Sequence, residues 1–200
     1  MEKQFIHFFD FGTIIAIVIL IIILAFLYSL YTGLIQKKNT VAEAFSDIDV
    51  QLKKRYDLIP NILTIANKFM EHERELLKGI TELRSQAANM PADMSHAKEK
   101  FELDSKISSM MGQFKIQVEN YPQLKSDQTM IQAMQTYNTQ EEHIAASRNF
   151  YNSAVKELNN AVEIFPSSLV AALIGIKQAP FIEATETERQ RIDASQYFTK

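Results

Sequence analysis

Glu141 and Arg148 stand where a helical stripe should be apolar. They lie seven residues apart, two helical turns, within Met130, Met134, Tyr137, Glu141, Ile144, Arg148, Tyr151, Val155, Leu158, Val162 and Phe165, a run that advances in alternating steps of four and three. A charge buried on such a seam without a partner is strongly destabilising, so both residues need partners. Arg55 occupies an apolar stripe of its own with Val41, Phe45, Ile48, Leu52 and Ile59, and Asp47, Asp49 and Asp57 lie beside it. The spacing predicts a cross-helix network in which Glu141 meets Arg55 and Arg148 meets an aspartate. Alternatively, both heads snorkel from the seam's edge into water. A buried network would set helix register or line a groove that receives a partner, and burial alone does not choose between these.

The remaining polar residues do not assemble into catalytic chemistry. His72-Glu73-Arg74-Glu75-Leu76 supplies one histidine where a zinc peptidase needs two, one turn apart. A di-iron bundle needs Glu-x-x-His, but Gln4, Phe69, Asp93 and Gln140 stand three residues before His7, His72, His96 and His143. Asp93-x-x-His96, beside Pro91, comes nearest. There is no glycine-rich phosphate loop, and no serine or threonine is tied to a base by its spacing. The sequence therefore predicts no catalytic residue, no metal and no cofactor, hence a protein that is not an enzyme. From Gln36 onward 20 Lys and Arg face 22 Asp and Glu, so no electrostatic footprint for nucleic acid is present. The absence of cysteine agrees with a reducing compartment.

The elements that must position these residues begin with a membrane segment. Phe11 to Ile35 is 25 residues without a charged side chain, longer as a helix than the roughly 30 Å hydrocarbon core of a bilayer. A cleaved signal peptide fits poorly: the stretch is too long, the start (Glu2, Lys3) is neutral, and Phe26, Leu27, Tyr28, Leu30 and Tyr31 fill the cleavage zone. Only Lys3 precedes the run, whereas Lys37, Lys38, Lys53, Lys54 and Arg55 come after it, so the expected topology has the N-terminus outside and the body in the cytosol. Tyr28 and Tyr31 would mark the inner interface and His7, Phe8 and Phe9 the outer one. Lys37 and Lys38 are the expected lipid-headgroup contacts. A straight helix would carry Arg55 about 27 Å farther from the membrane surface than Lys37.

The expected organisation is a short extracytoplasmic start at 1–10, a transmembrane helix at 11–35, a cytosolic helical domain at 36–182 and a polar tail at 183–200. The fold class is all-α: a single membrane helix followed by an elongated antiparallel bundle of about four long helices. The first cytosolic helix carries the Val41 to Ile59 stripe and is interrupted or kinked at Pro60, with Asp57 capping the next helical segment. A second helix, with Ile62, Ile65, Phe69, Leu76, Ile80, Leu83 and Ala87, breaks at Asn89 to Pro91. A third, from Asp93 to Asn120, carries Phe101, Leu103, Ile107, Met111, Phe114 and Val118. The fourth starts near Ser126 or Asp127 and stops at Pro166. Leu169 to Ile176 reads as a short helix or a strap over the bundle, and Tyr197-Phe198 either dock back or belong to a free interaction tail.

These residues carry a resemblance. Phe45-Ser46-Asp47-Ile48-Asp49-Val50-Gln51-Leu52-Lys53-Lys54-Arg55-Tyr56-Asp57-Leu58-Ile59-Pro60-Asn61 closely resembles the signature of the LemA family. Further matches occur at His72-Glu73, Glu119 to Lys125, Ala145 to Asn152 and Phe165-Pro166-Ser167-Ser168. Gln140-Glu141-Glu142-His143-Ile144 departs from the family's usual Thr-Glu-Asn-Arg-Ile and retains only the Glu and the Ile. The resemblance implies a single-pass bacterial inner-membrane protein with an all-helical cytosolic domain, and it supplies no settled activity. Three roles stay open: a scaffold or adaptor organising protein partners, an accessory subunit of a membrane proteolysis or stress system acting with a membrane peptidase, and a membrane-shaping protein of a bacterial compartment. Membrane lipid is the expected partner of the anchor, and homo-oligomerisation is left open.

Overall fold

The computed structural model describes residues 11–182. The terminal segments, including His7, Phe8, Phe9, Tyr197 and Phe198, lie outside the described residues. Within them the chain is all-α: α1 (Phe11–Ala66), α2 (Arg74–Ala88), α3 (Ala97–Val118), α4 (Pro122–Lys125), α5 (Gln128–Glu163) and α6 (Ser167–Ile174), with a 3-10 turn at Met94–His96.

Helix α1 is 56 residues long and changes character along its length. From Gly12 to Ser29 every side chain is exposed, although most are Ile, Leu, Val, Ala and Phe. A helix apolar on all sides belongs in an apolar solvent, and this stretch is long and apolar enough to cross a membrane. Beyond Leu34 the apolar residues narrow to one stripe: Val41, Phe45, Ile48, Leu52, Ile59 and Ile62 are buried while Lys53 and Lys54 face out.

The break expected at Pro60 does not occur. Proline lacks the N–H that would bond the carbonyl of Tyr56 four residues back, and Arg84 of α2 supplies the missing donor, its Nε lying 3.1 Å from that oxygen. With the orphan carbonyl satisfied, α1 continues to Ala66. Asp57 therefore caps nothing; it is exposed and faces Arg84 at 3.5 Å. The break falls instead at residues 67–73, inside the segment that periodicity reads as one helix from Ile62 to Ala87. No glycine or proline marks it; turn bonds from Phe69 and Met70 to the Ala66 carbonyl close the helix end and leave Met70 fully buried.

The remaining ends obey local chemistry. Asp93 accepts bonds from the Ser95 and His96 amides, so α3 starts at Ala97 behind a capped turn. Asp127 caps α5 through the Met130 amide at 2.9 Å. Gly175, at φ 71°, closes α6 in the left-handed conformation that glycine adopts without strain.

Two compact units share these helices. One comprises the chain to Val41 with Ala154–Ala179, the other Ala42–Ser153 with the chain from Pro180. Leu34, Val41, Val155, Leu158 and Ala171 are buried in the first. In the second, α1, α2, α3 and α5 bury Ile48, Ile80, Phe114 and Tyr137, and α1 and α5 run antiparallel, as Arg55 beside Glu141 and Phe45 beside Tyr151 show. Phe45, Phe101 and Tyr151 form an aromatic trio with centroids 5.7 to 6.5 Å apart. Phe165, placed on the α5 seam by periodicity, is instead 73 % exposed, because α5 ends at Glu163 before the stripe reaches it.

Candidate functional site

Three helices deliver charges to one buried point in the second unit. Arg55 of α1 and Asp104 of α3 are both 0 % exposed and form an ion pair through Nη2 and Oδ1. Asp104 Oδ2 receives Arg148 Nη2 of α5 at 2.6 Å, and Oδ1 also accepts the Tyr56 hydroxyl at 3.1 Å. Arg55 Nη1 reaches Glu141 of α5 and donates to Ser108 Oγ at 3.0 Å. Asp104 is thus the hub: three donors from two other helices converge on one carboxylate, the partnering a buried charge requires. Lys100, one turn earlier on α3, pairs with Asp49 of α1.

The site has a wet edge. The Glu141 side chain keeps 36 % of its surface exposed, whereas Asp104 keeps none. Glu141 therefore neither snorkels free nor lies fully enclosed; it links a sealed guanidinium to solvent.

Burial sets the electrostatics. It opposes the charge of Arg55, and Tyr137, Glu141 and Tyr56 around it more than offset that penalty, so its pKa is raised and it stays a cation. Burial pushes the Tyr56 hydroxyl up to about 12 against the pull of Arg55. Burial likewise raises Tyr137, assisted by the Glu141 carboxylate. The two guanidinium groups and two carboxylates of the network balance in charge. Among the described residues no set of three or more His, Asp or Glu side chains could hold a metal. The arrangement can lock α1, α3 and α5 in axial register and present one carboxylate edge to a partner.

Several residues singled out by sequence lie elsewhere. Asp47 is exposed and Asp57 faces Arg84, so neither joins the network; on α1 both point away from the seam that carries Arg55. Asp49 belongs to the Lys100 pair. The aspartate that Arg148 meets is Asp104, which sequence reasoning passes over by taking Phe101 and Leu103 as the α3 stripe. The buried stripe is Ala97, Lys100, Asp104, Ile107, Met111 and Phe114, again in steps of three and four, and two of its members are charged. That regularity is the signal that could have found it.

Other polar residues have structural partners. His96 Nδ1 contacts Asp93 at 2.9 Å, and the hydrogen bond from Ser95, then that from His96, holds the exposed Asp93 carboxyl down at about 2. The Tyr121 hydroxyl donates to Glu73 at 3.1 Å, beside a shallow groove lined by His72, Glu75 and Ile116. Lys37 is not a bare headgroup contact: it pairs with Glu157 at 2.9 Å, while Lys38 is exposed. The segment after α6 has no regular secondary structure through residue 182 and is bonded along α5. Asn159 makes a two-way bond with the Ala179 backbone, Asn152 does the same with Ile182, and Tyr151 donates to the Pro180 carbonyl.

The chain as a whole is similar to known proteins. The family model described as LemA family matches residues 44–195, a span that includes Arg55, Asp104, Glu141 and Arg148. A curated relative, Protein LemA from Metamycoplasma hominis, is 27 % identical over 184 residues, covering 90 % of this chain and 83 % of its own.

Proposed function

The chain belongs to the LemA family, and from that premise we propose that it is a non-enzymatic, membrane-anchored scaffold that organises protein partners at the cytoplasmic face of a bacterial inner membrane. The observation that carries the reading is the continuity of α1. Its exposed apolar half and its buried, Arg55-bearing half are one helix, with no loop between anchor and body. A tethered enzyme tolerates a flexible linker, whereas a scaffold gains from an anchor and a recognition surface built on one helix. The surface proposed for recognition is the Glu141 edge of the charge network, with the exposed Asp47, Lys53 and Lys54 of α1 as further candidates. The N-out orientation rests on the lysines C-terminal to the apolar run.

In-cell crosslinking of the full-length protein, with Glu141→Gln beside the wild type, tests this. The expected result is a defined set of membrane-associated neighbours, reduced in the variant although its melting temperature is nearly unchanged, and dispersed from the membrane when the gene is deleted. Recovery of no reproducible neighbour overturns the scaffold reading. A membrane peptidase among the neighbours would instead place the protein with a proteolysis system.

A further inference from the structure

The α5–α6 corner exposes apolar surface that the body does not use. From Ile164 to Ile176 the chain is Ile-Phe-Pro-Ser-Ser-Leu-Val-Ala-Ala-Leu-Ile-Gly-Ile, 13 residues without a charge, with Lys177 directly after it. An uncharged stretch of about 10 to 14 residues is either a buried core helix or an interfacial or re-entrant segment. The first option fails on exposure: of α6 only Ala171 is buried, while Leu173 is 86 % exposed, Phe165 73 % and Ile164 and Leu169 each 60 %. A cluster of this kind on a soluble surface marks a contact site.

Its level along α1 identifies the contact. This corner lies in the same compact unit as the apolar half of α1. Lys37 and Glu157 face each other at 2.9 Å within that unit, and α5 runs antiparallel to α1. At 1.5 Å per residue the run from Glu157 to Glu163 carries α5 about 9 Å beyond that ion pair, to the level of Tyr31 in α1. Tyr31 lies inside the charge-free run that ends at Ile35. The exposed Ile164, Phe165, Leu169 and Leu173 therefore begin at the level of Tyr31, the interfacial aromatic of α1 where the hydrocarbon starts, with Lys37, Lys38 and Lys177 as the cations beside it for headgroups. A water-facing role would leave four large apolar residues in solvent next to a bilayer able to bury them.

We propose that the α5–α6 corner is a second membrane contact, a monotopic element dipping into the acyl-chain region of the leaflet on the body side of α1. The proposal rests on the reading of α1 as the anchor. The first unit is then held in the bilayer at two points, which removes its freedom to swivel about the α1 axis.

The chain has no tryptophan, so single reporters are clean. Full-length Leu173→Trp, Phe165→Trp, Ile19→Trp and Ile131→Trp proteins are reconstituted in phosphatidylcholine–phosphatidylglycerol vesicles with and without brominated acyl chains. All four positions are exposed, and melting temperatures confirm folding. The expected result is blue-shifted emission at residues 173 and 165, quenched by bromine nearly as strongly as at residue 19, with residue 131 unaffected. Quenching at residue 19 but at neither 173 nor 165 overturns the second contact and leaves the anchor standing. No quenching at residue 19 overturns the anchor and the inference with it. Blue-shifted but unquenched emission at 173 means that protein covers the corner, a second copy or a partner, and also overturns the proposal, as does equal quenching at residue 131.

Discussion

The two halves of α1 obey opposite rules on one unbroken backbone. In the N-terminal half, Ile19, Ile21 and Ile22 are 51 to 62 % exposed; in the C-terminal half, Ile48, Ile59 and Ile62 have no exposed surface at all. The same residue type therefore cannot be read as core or surface from its apolarity. The halves are separated by the pattern of charge around it, absent on every face of the helix before Ile35 and afterwards, Arg55 apart, kept off the buried stripe. A second contrast lies within the body half. A position of its stripe as buried as Ile48 and Ile59 holds Arg55, and the network around it stands where hydrocarbon stands one turn away at Leu52 and Ile59.

Removing Arg55 should break that contrast most severely. Arg55→Ala leaves the sealed Asp104 with only Arg148 and Tyr56, and a buried pair stripped of one member costs about 3 to 5 kcal/mol. Thermal unfolding in detergent should show a large drop in melting temperature; a drop no greater than that of a surface variant would mean that the network contributes little. Next comes the contrast between isoleucines. Ile48→Ala should cost about 2 to 4 kcal/mol through cavity formation, whereas Ile19→Ala in lipid should leave the melting temperature of the body unchanged. Equal losses at the two sites would refute the division of α1 into two solvents.

Alkaline titration sharpens the picture with a smaller effect. Tyr56 has a folded pKa raised to about 12 from an ordinary 10. A raised pKa means that its contribution to stability is fully present below pH 10 and is lost as pH climbs through 12. Tyrosinate absorbance should therefore lag in the folded protein and stability should fall between pH 10 and 12. Tyr151, which burial also pushes up to about 12, should add to the same window. Coincident ionisation of all tyrosines near pH 10 would show the site to be open. The smallest change is expected at Glu141→Gln, where an edge already 36 % exposed keeps a hydrogen-bond acceptor for Arg55. Its cost should be about 1 kcal/mol, with the larger effect on partner crosslinking.

Sequence alone determined the charge-free run, the all-α class and the seam of α5, because each depends on side-chain periodicity within a single helix. It also placed Arg55 and Glu141 on facing seams, since charges on a regular apolar stripe are conspicuous. Tertiary structure decided which aspartate closes the network. Asp104 and the aspartates of α1 are equivalent in type, and only the axial register of α3 against α1 and α5 brings Asp104 within reach of both arginines. Tertiary structure likewise decided that α1 passes through Pro60, because the donor that reaches the orphaned Tyr56 carbonyl comes from Arg84, 28 residues from Tyr56 in sequence. It ended α1 at Ala66 as well, where no glycine or proline stands and the burial of Met70 sets the turn. Helical periodicity is a property of neighbours along the chain, whereas register, rescue of an orphan carbonyl and exposure of the α6 face depend on residues that only the packed structure brings together.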